Sequence, residues 1–270
     1  MTDPKELIEK AERFIKQQQD LYGKFTVSIP VSGEPEAGQE KKSEINTKSS
    51  EPQSTDTQHT KTEDQETVQT KTEKPLSTQE KIAACQTLDE LKSLCEQTTD
   101  LQTDLEGTNL VFGVGNPDAD LMIVGEAPGY NEDQQGEPFV GEAGQLLDKI
   151  MDAINFKRND IYIANILKHR PPNNRDPKPE EREKSLPYLL RQIELVDPKI
   201  ILCVGRISAT TLLGDDTSLS KLRGSTHPFH GRELMATYHP AALLRNPKWK
   251  RPTWEDVQKL RKRYDELGGR

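Results

Sequence analysis

The chain has 270 residues, 32% of them apolar and 5% aromatic, and a net charge of −8. Averaged over the full length, these figures are poor for a globular enzyme and argue against a partner as acidic as DNA. The averages merge unlike segments.

Residues 3–19 read as an amphipathic helix. Asp3, Pro4 and Glu6 make a start signal, and Leu7, Ile8, Ala11, Phe14 and Ile15 share one face. Such a helix either docks on the main domain or serves as a tethered site for a protein partner. Residues 31–80 hold five apolar residues against 11 acidic and 6 basic ones. That composition cannot bury enough surface to offset its ordering entropy, so a disordered, solvated linker is expected. Three segments follow: 1–30 as helix, 31–80 as linker and 81–270 as the folded domain. Residues 1–107 carry 13 basic and 22 acidic side chains, and residues 108–270 carry 24 and 23. The acidity therefore sits at the N-terminal side. With no run of roughly 20 apolar residues and no apolar leader, a soluble, cytoplasmic protein without membrane contact is expected, acting as a monomer. Three cysteines (Cys85, Cys95, Cys203) make no disulfide framework.

A helix is predicted near 87–97, started by Thr87 and Glu90. Beyond residue 110 four short apolar runs appear, at 121–124, 161–166, 200–204 and 234–238. Helical stretches lie between and after them, at about 142–155, 178–195 (which Pro187 should disturb), 207–213 and 253–267. Strands alternating with helices predict an α/β fold, three layers deep, around a mainly parallel four-stranded sheet.

Each strand runs into residues that packing does not require. The first meets Gly125-Glu126-Ala127-Pro128-Gly129, and the second ends on Asn165, Lys168 and His169. The third ends on Gly205-Arg206 and the fourth on His239-Pro240. Ligands of open parallel sheets bind at the carboxyl ends of the strands, so Glu126, Asn165 and His239 should meet in one crevice. The chain has no P-loop, no dinucleotide fingerprint, no serine-hydrolase elbow and no zinc-deaminase spacing. A carboxylate, an amide, an imidazole and the ring of Phe139 remain, and together they can read the edge and face of a flat heterocycle. Residues 221–263 add 11 basic side chains against three acidic ones, with Trp249 and Trp254 interleaved. That is the local footprint expected for phosphate contacts.

Residues 125–150, 165–175 and 239–247 closely resemble the three motifs of family 4 uracil-DNA glycosylases, in the family's order. The resemblance spans about residues 86–260. It implies an enzyme that flips uracil out of single- or double-stranded DNA and hydrolyses its N-glycosidic bond, leaving an abasic site for base excision repair. It implies that Phe139 stacks on the uracil and that Asn165 reads its N3 and O4 edge. His239 would donate to O2, with backbone N–H groups of Glu126 and Ala127 nearby. Glu126 would hold the water or stabilise the sugar cation, and Glu132 would block a 5-methyl group. Leu243 or Leu244 would be the wedge, and Arg245, Arg223 and Lys168 the DNA contacts. Members of this family usually carry a 4Fe–4S cluster on four cysteines. Two of those positions read His169 and Ser185 here, and Cys95 stands alone near the other pair. No cluster and no metal are therefore expected. A non-catalytic DNA-binding relative, a glycosylase for another deaminated base such as hypoxanthine, and a nucleoside hydrolase stay open as alternatives.

Overall fold

The computed structural model describes residues 76–269. The expected N-terminal helix at 3–19, and the linker up to residue 75, lie outside the described residues.

The sheet has six strands rather than the expected four. In chain order they are β1 (Val114–Gly115), β2 (Leu121–Gly125), β3 (Tyr162–Asn165), β4 (Ile200–Val204), β5 (Thr226–Phe229) and β6 (Arg232–Thr237). Their spatial order is β1-β3-β2-β4-β6-β5. The four expected strands form the parallel centre, and β1 and β5 add antiparallel edges. Neither edge leaves an apolar run in the sequence. β1 is two residues long, and in β5 only Phe229 is buried. The β5–β6 hairpin turns on His230 and Gly231, at φ 47° and 76°. Positive φ at both central residues is the type I′ geometry that matches the twist of a hairpin.

The central strands are buried on both faces because their side chains alternate between two cores. Met122, Val124, Ile201 and Cys203 face one core, and Leu121, Ile123, Ile200 and Leu202 face the other. The first core is covered by α5 (Pro179–Val196) and α6 (Arg206–Leu213), through Leu189, Ile193 and Leu212. The second is covered by α4 (Glu142–Asp152) and α9 (Lys250–Glu266), through Leu147, Met151, Val257 and Leu260. The result is a three-layer α/β/α arrangement. Pro187 lies inside α5, which runs on past it to Val196.

Two further helices, α1 (Thr78–Ala84) and α2 (Leu88–Gln97), build a small third core with α5 around Leu91, Cys95, Phe112 and Tyr188. α1 begins inside the stretch expected as linker. A reciprocal capping box between Ser77 and Glu80 starts it there. Three short α-helices complete the set among the described residues, α3 (Tyr130–Gln135), α7 (Leu219–Leu222) and α8 (Pro240–Arg245), beside three single-turn 3-10 helices. Among the described residues, no helix is long and apolar enough to cross a membrane.

Candidate active site

The carboxyl ends of β2, β3 and β6 open into one cavity of about 420 Å³. Its lining brings together Glu126, Asn165 and His239, the three that the strand ends should carry to one crevice, with Ala127, Glu132, Phe139 and Arg245. Gly125 and Asn165 are register partners at the ends of β2 and β3.

Phe139 is buried and has a left-handed backbone, φ 55°. A non-glycine residue adopts that conformation only when its surroundings hold it. Arg158 does so from outside, donating to Phe139 O at 3.2 Å and Pro138 O at 2.5 Å while pairing with Asp148 at 3.0 Å. Gly144 of α4 leaves room for it, since a Cβ there would collide with the Phe139 carbonyl. The ring comes to 5.5 Å from that of His239, tilted by 30°. Gly125 leaves room for Phe139 and Asn165 side by side. A Cβ on it would meet Asn165 Oδ1 and sit 2.6 Å from Phe139 Cζ.

Asn165 is 2% exposed, and its Oδ1 has no hydrogen-bond partner among the described residues. A buried acceptor left bare costs free energy unless something supplies a donor. Its backbone carbonyl is anchored from behind by Lys168 Nζ at 3.0 Å. The same ammonium donates to Phe112 O at 3.2 Å and Gln192 Oε1 at 2.5 Å. Gln192 in turn donates to Phe112 O and to the Tyr162 hydroxyl. Burial pulls the Lys168 ammonium down to about 7.

His239 caps α8: its Nδ1 accepts from Ala241 N at 3.2 Å. That bond assigns the proton of the neutral ring to Nε2. Burial, and then Arg245, push the imidazole down to about 4, so it is neutral at physiological pH. Glu126 shifts the other way. Burial, and then Asp176, raise its carboxyl to about 7, against the opposing pull of Arg206, Arg182 and Arg245. Glu132 is tied to the backbone at both oxygens. It accepts from Val140 N at 3.0 Å, Gly141 N at 2.9 Å and Gly129 N at 3.2 Å.

The expected DNA contacts divide. Arg245 is exposed and lines the cavity. Leu244 is 45% exposed, whereas Leu243 is buried, so only Leu244 is free to act outside the protein. Lys168 is fully buried and cannot reach a phosphate, which corrects its place among these contacts. Arg223 is committed inward as well, bound to Asp256 at 3.0 Å and to Pro252 O at 2.5 Å. The positive count of residues 221–263 is likewise reduced by pairing. Arg232, Arg261 and Lys262 find Asp197, Asp265 and Glu266 outside that window, and Arg251 pairs with Glu255 inside it.

Sequence reasoning named Gly125 only as part of a glycine-rich strand end, without its role beside Asn165 and Phe139, and missed Arg158, which braces Phe139, and Tyr130, Asn174 and Asp176, which line the cavity. A glycine closing an apolar strand was the one available signal, for Gly125.

The residues do not suit an iron–sulfur cluster. His169 is buried with its Nδ1 3.0 Å from Thr108 Oγ1, and Ser185 is buried. Cys85 and Cys95 belong to the third core, and burial pushes the Cys95 thiol up to about 12. Cys203 faces the first core from the middle layer. The three cysteines of the chain cannot supply four thiolates. Among the described residues, no group of three or more His, Cys, Asp or Glu side chains could hold a metal ion.

Fold and site together define an α/β protein whose sheet ends in a crevice with an aromatic ring, a buried amide oxygen and a neutral imidazole. Residues 112–260 match the model of the Uracil DNA glycosylase superfamily. The chain is 45% identical over 161 residues to the type-4 uracil-DNA glycosylase of Archaeoglobus fulgidus, covering 57% of this chain and 81% of that protein. It is 40% identical over 161 residues to the type-4 uracil-DNA glycosylase of Thermotoga maritima, covering 58% and 84%. A 138-residue stretch is 33% identical to a DNA polymerase of Bacillus phage SP01, covering 51% of this chain but 15% of the polymerase. The chain belongs to the uracil-DNA glycosylase superfamily, within its type-4 branch.

Proposed function

We propose that this protein excises uracil from single- and double-stranded DNA by hydrolysing the N-glycosidic bond, with no metal or cofactor. The observation that carries the reading is the bare, buried Oδ1 of Asn165, held beside the Phe139 ring and the neutral His239. Uracil N3–H supplies the donor that Oδ1 lacks, and the Asn165 Nδ2 group donates to O4. Cytosine presents an N4 donor and a bare N3 there, so it leaves Oδ1 unsatisfied and sets two donors against each other. Phe139 stacks on the ring. Glu132, fixed by three backbone amides, walls the pocket against a 5-methyl group.

Reaction begins when the C1′–N1 bond breaks. Its electron pair leaves with the base, delocalised onto O2, and the sugar becomes oxocarbenium-like. His239 Nε2–H, with backbone N–H groups at Glu126 and Ala127, stabilises charge at O2. A neutral donor suits this task because it holds the uracil anion without having to give up its proton. Glu126 stabilises the sugar cation and takes a proton from the water that adds to C1′. Leu244 fills the gap left by the flipped base, and Arg245 holds a phosphate.

The test is alkali-induced strand breakage of a uracil-containing oligonucleotide after incubation with the protein. Cleavage at uracil but not at cytosine or thymine is expected. DNA binding without cleavage would replace this reading with a non-catalytic one, and cleavage only at hypoxanthine would redirect the base assignment.

A further inference from the structure

Two phenyl-type rings line the cavity, and they differ sharply. Phe139 is buried, whereas Tyr130 is 57% exposed. Tyr130 follows Gly129 directly, on the same turn that walls the cavity. The Arg170 guanidinium lies 5.0 Å from its ring centroid. Asn174, another lining residue, fixes that arginine by accepting from Nε at 2.7 Å. Among the described residues, Arg170 has no carboxylate partner. A tyrosine this exposed adds little to the core, and a guanidinium braced on its ring without a carboxylate adds little as an ion pair. Both are placed instead for something that arrives from solvent at the cavity mouth.

We propose that Tyr130 and Arg170 form a one-nucleotide shelf at this mouth. The ring stacks on the base next to the one in the pocket, and the guanidinium meets that nucleotide's phosphate. The inference rests on the glycosylase reading above and deepens it. A base in the pocket has left its stack, and its neighbour in a single strand loses a stacking face with it. An aromatic side chain replaces that face for any base, because every base has a π-face. The shelf therefore favours uracil in single-stranded or unpaired DNA, whose neighbouring base is free to move onto the tyrosine.

The test uses the full chain and single-stranded uracil oligonucleotides. Tyr130→Ala should raise KM about 5- to 100-fold, the range expected for losing one base–aromatic stack, with the loss falling on KM rather than kcat. Tyr130→Phe, which keeps the ring, should stay within about twofold of the wild type. An abasic spacer is then placed on the 5′ or the 3′ side of the uracil. On one flank it should raise the wild-type KM by a similar factor and add nothing further to Tyr130→Ala. Additive penalties on both flanks overturn the shelf, as does an unchanged KM for Tyr130→Ala. A loss confined to kcat or to melting temperature, with the spacer penalty intact, assigns Tyr130 a structural role and also overturns it. If the wild type releases no uracil from any oligonucleotide, the glycosylase reading is what fails. The same variants and spacers are then compared by fluorescence anisotropy of bound oligonucleotide, where the same non-additive loss on one flank is expected.

Discussion

Replacing Glu126 by Gln separates what this carboxylate does for chemistry from what it costs the fold. Burial raises its carboxyl from 4.5 to about 7. A folded-state value above the unfolded one means that the native protein holds the proton more tightly. Its stability contribution is complete below about pH 4.5 and is lost as pH rises through 7. Each unit is worth about 1.4 kcal/mol, so wild type should lose on the order of 2–3 kcal/mol from this group between pH 5 and pH 8. Gln does not titrate and escapes that loss. His169, His230 and His239, all lowered by burial, move stability the opposite way across this range. They are present in both proteins and cancel in the double difference. Urea denaturation at pH 5 and pH 8 should therefore show the variant gaining about 2–3 kcal/mol on wild type at the higher pH. Uracil release should move oppositely, falling about 10²- to 10⁴-fold in the variant at pH 8. The wild-type rate should drop below pH 7 as the carboxyl takes up its proton. A double difference below about 0.5 kcal/mol, together with a wild-type rate flat from pH 5.5 to 8, would refute a desolvated carboxylate engaged in the reaction.

Three further substitutions probe the rest of the site. Gly125→Ala places a methyl group against Asn165 Oδ1 and the Phe139 ring, so single-turnover uracil release should fall at least about tenfold while urea denaturation shows a loss of only about 1–2 kcal/mol. Full activity would show that the two side chains need not approach so closely. His239→Ala should lower the rate about 10²- to 10³-fold, the loss typical of one oxyanion donor. The wild-type His239 ring should show no NMR titration above pH 5, because its imidazole is held near 4; a titration near 6.5 would contradict the neutral donor. Lys168→Met strips donors from Phe112 O, Asn165 O and Gln192 Oε1 at once and should destabilise the fold by about 2–4 kcal/mol in urea. A stability within 0.5 kcal/mol of wild type (a rough threshold) would mean that the node is dispensable.

The parallel centre was legible because each of its strands is an unbroken apolar run, long enough to be buried on both faces. β1 and β5 were not, because an edge strand needs neither length nor an apolar pattern. Glu126, Asn165 and His239 were legible for the same reason as the strands: each sits where an apolar run stops, and the parallel sheet carries those endpoints to one side. Lys168 was misread. A lysine three residues past a strand reads as a surface charge, and only the enclosure by Phe112 and Gln192, 56 positions before it and 24 after, shows otherwise. Leu243 and Leu244 could not be told apart by type. About 100° separates neighbours around a helix, and α8 turns the first inward and the second out.

The loop between His169 and Ser185, the positions at which the family resemblance would put cluster cysteines, packs against residues 103–108. Here the two segments are stitched by side chains. Thr103 Oγ1 donates to Arg170 O at 2.7 Å, and Thr108 meets His169 at 3.0 Å. Arg175 grips Glu181 with both of its Nη groups, at 2.8 and 2.6 Å, and reaches Asp104 at 3.1 Å. Lys178 joins the same Asp104 at 2.5 Å. Glu181 is buried beneath this network and also accepts from Lys178 N at 2.7 Å. A single exposed ion pair contributes little, but a shared, partly buried set restrains both segments at once. The restraint matters because Pro171, Asn174, Arg175 and Asp176 from this loop line the cavity. The stitches that hold the loop therefore also set one wall of the pocket, and Asp176 on that wall is the charge that, after burial, does most to raise Glu126.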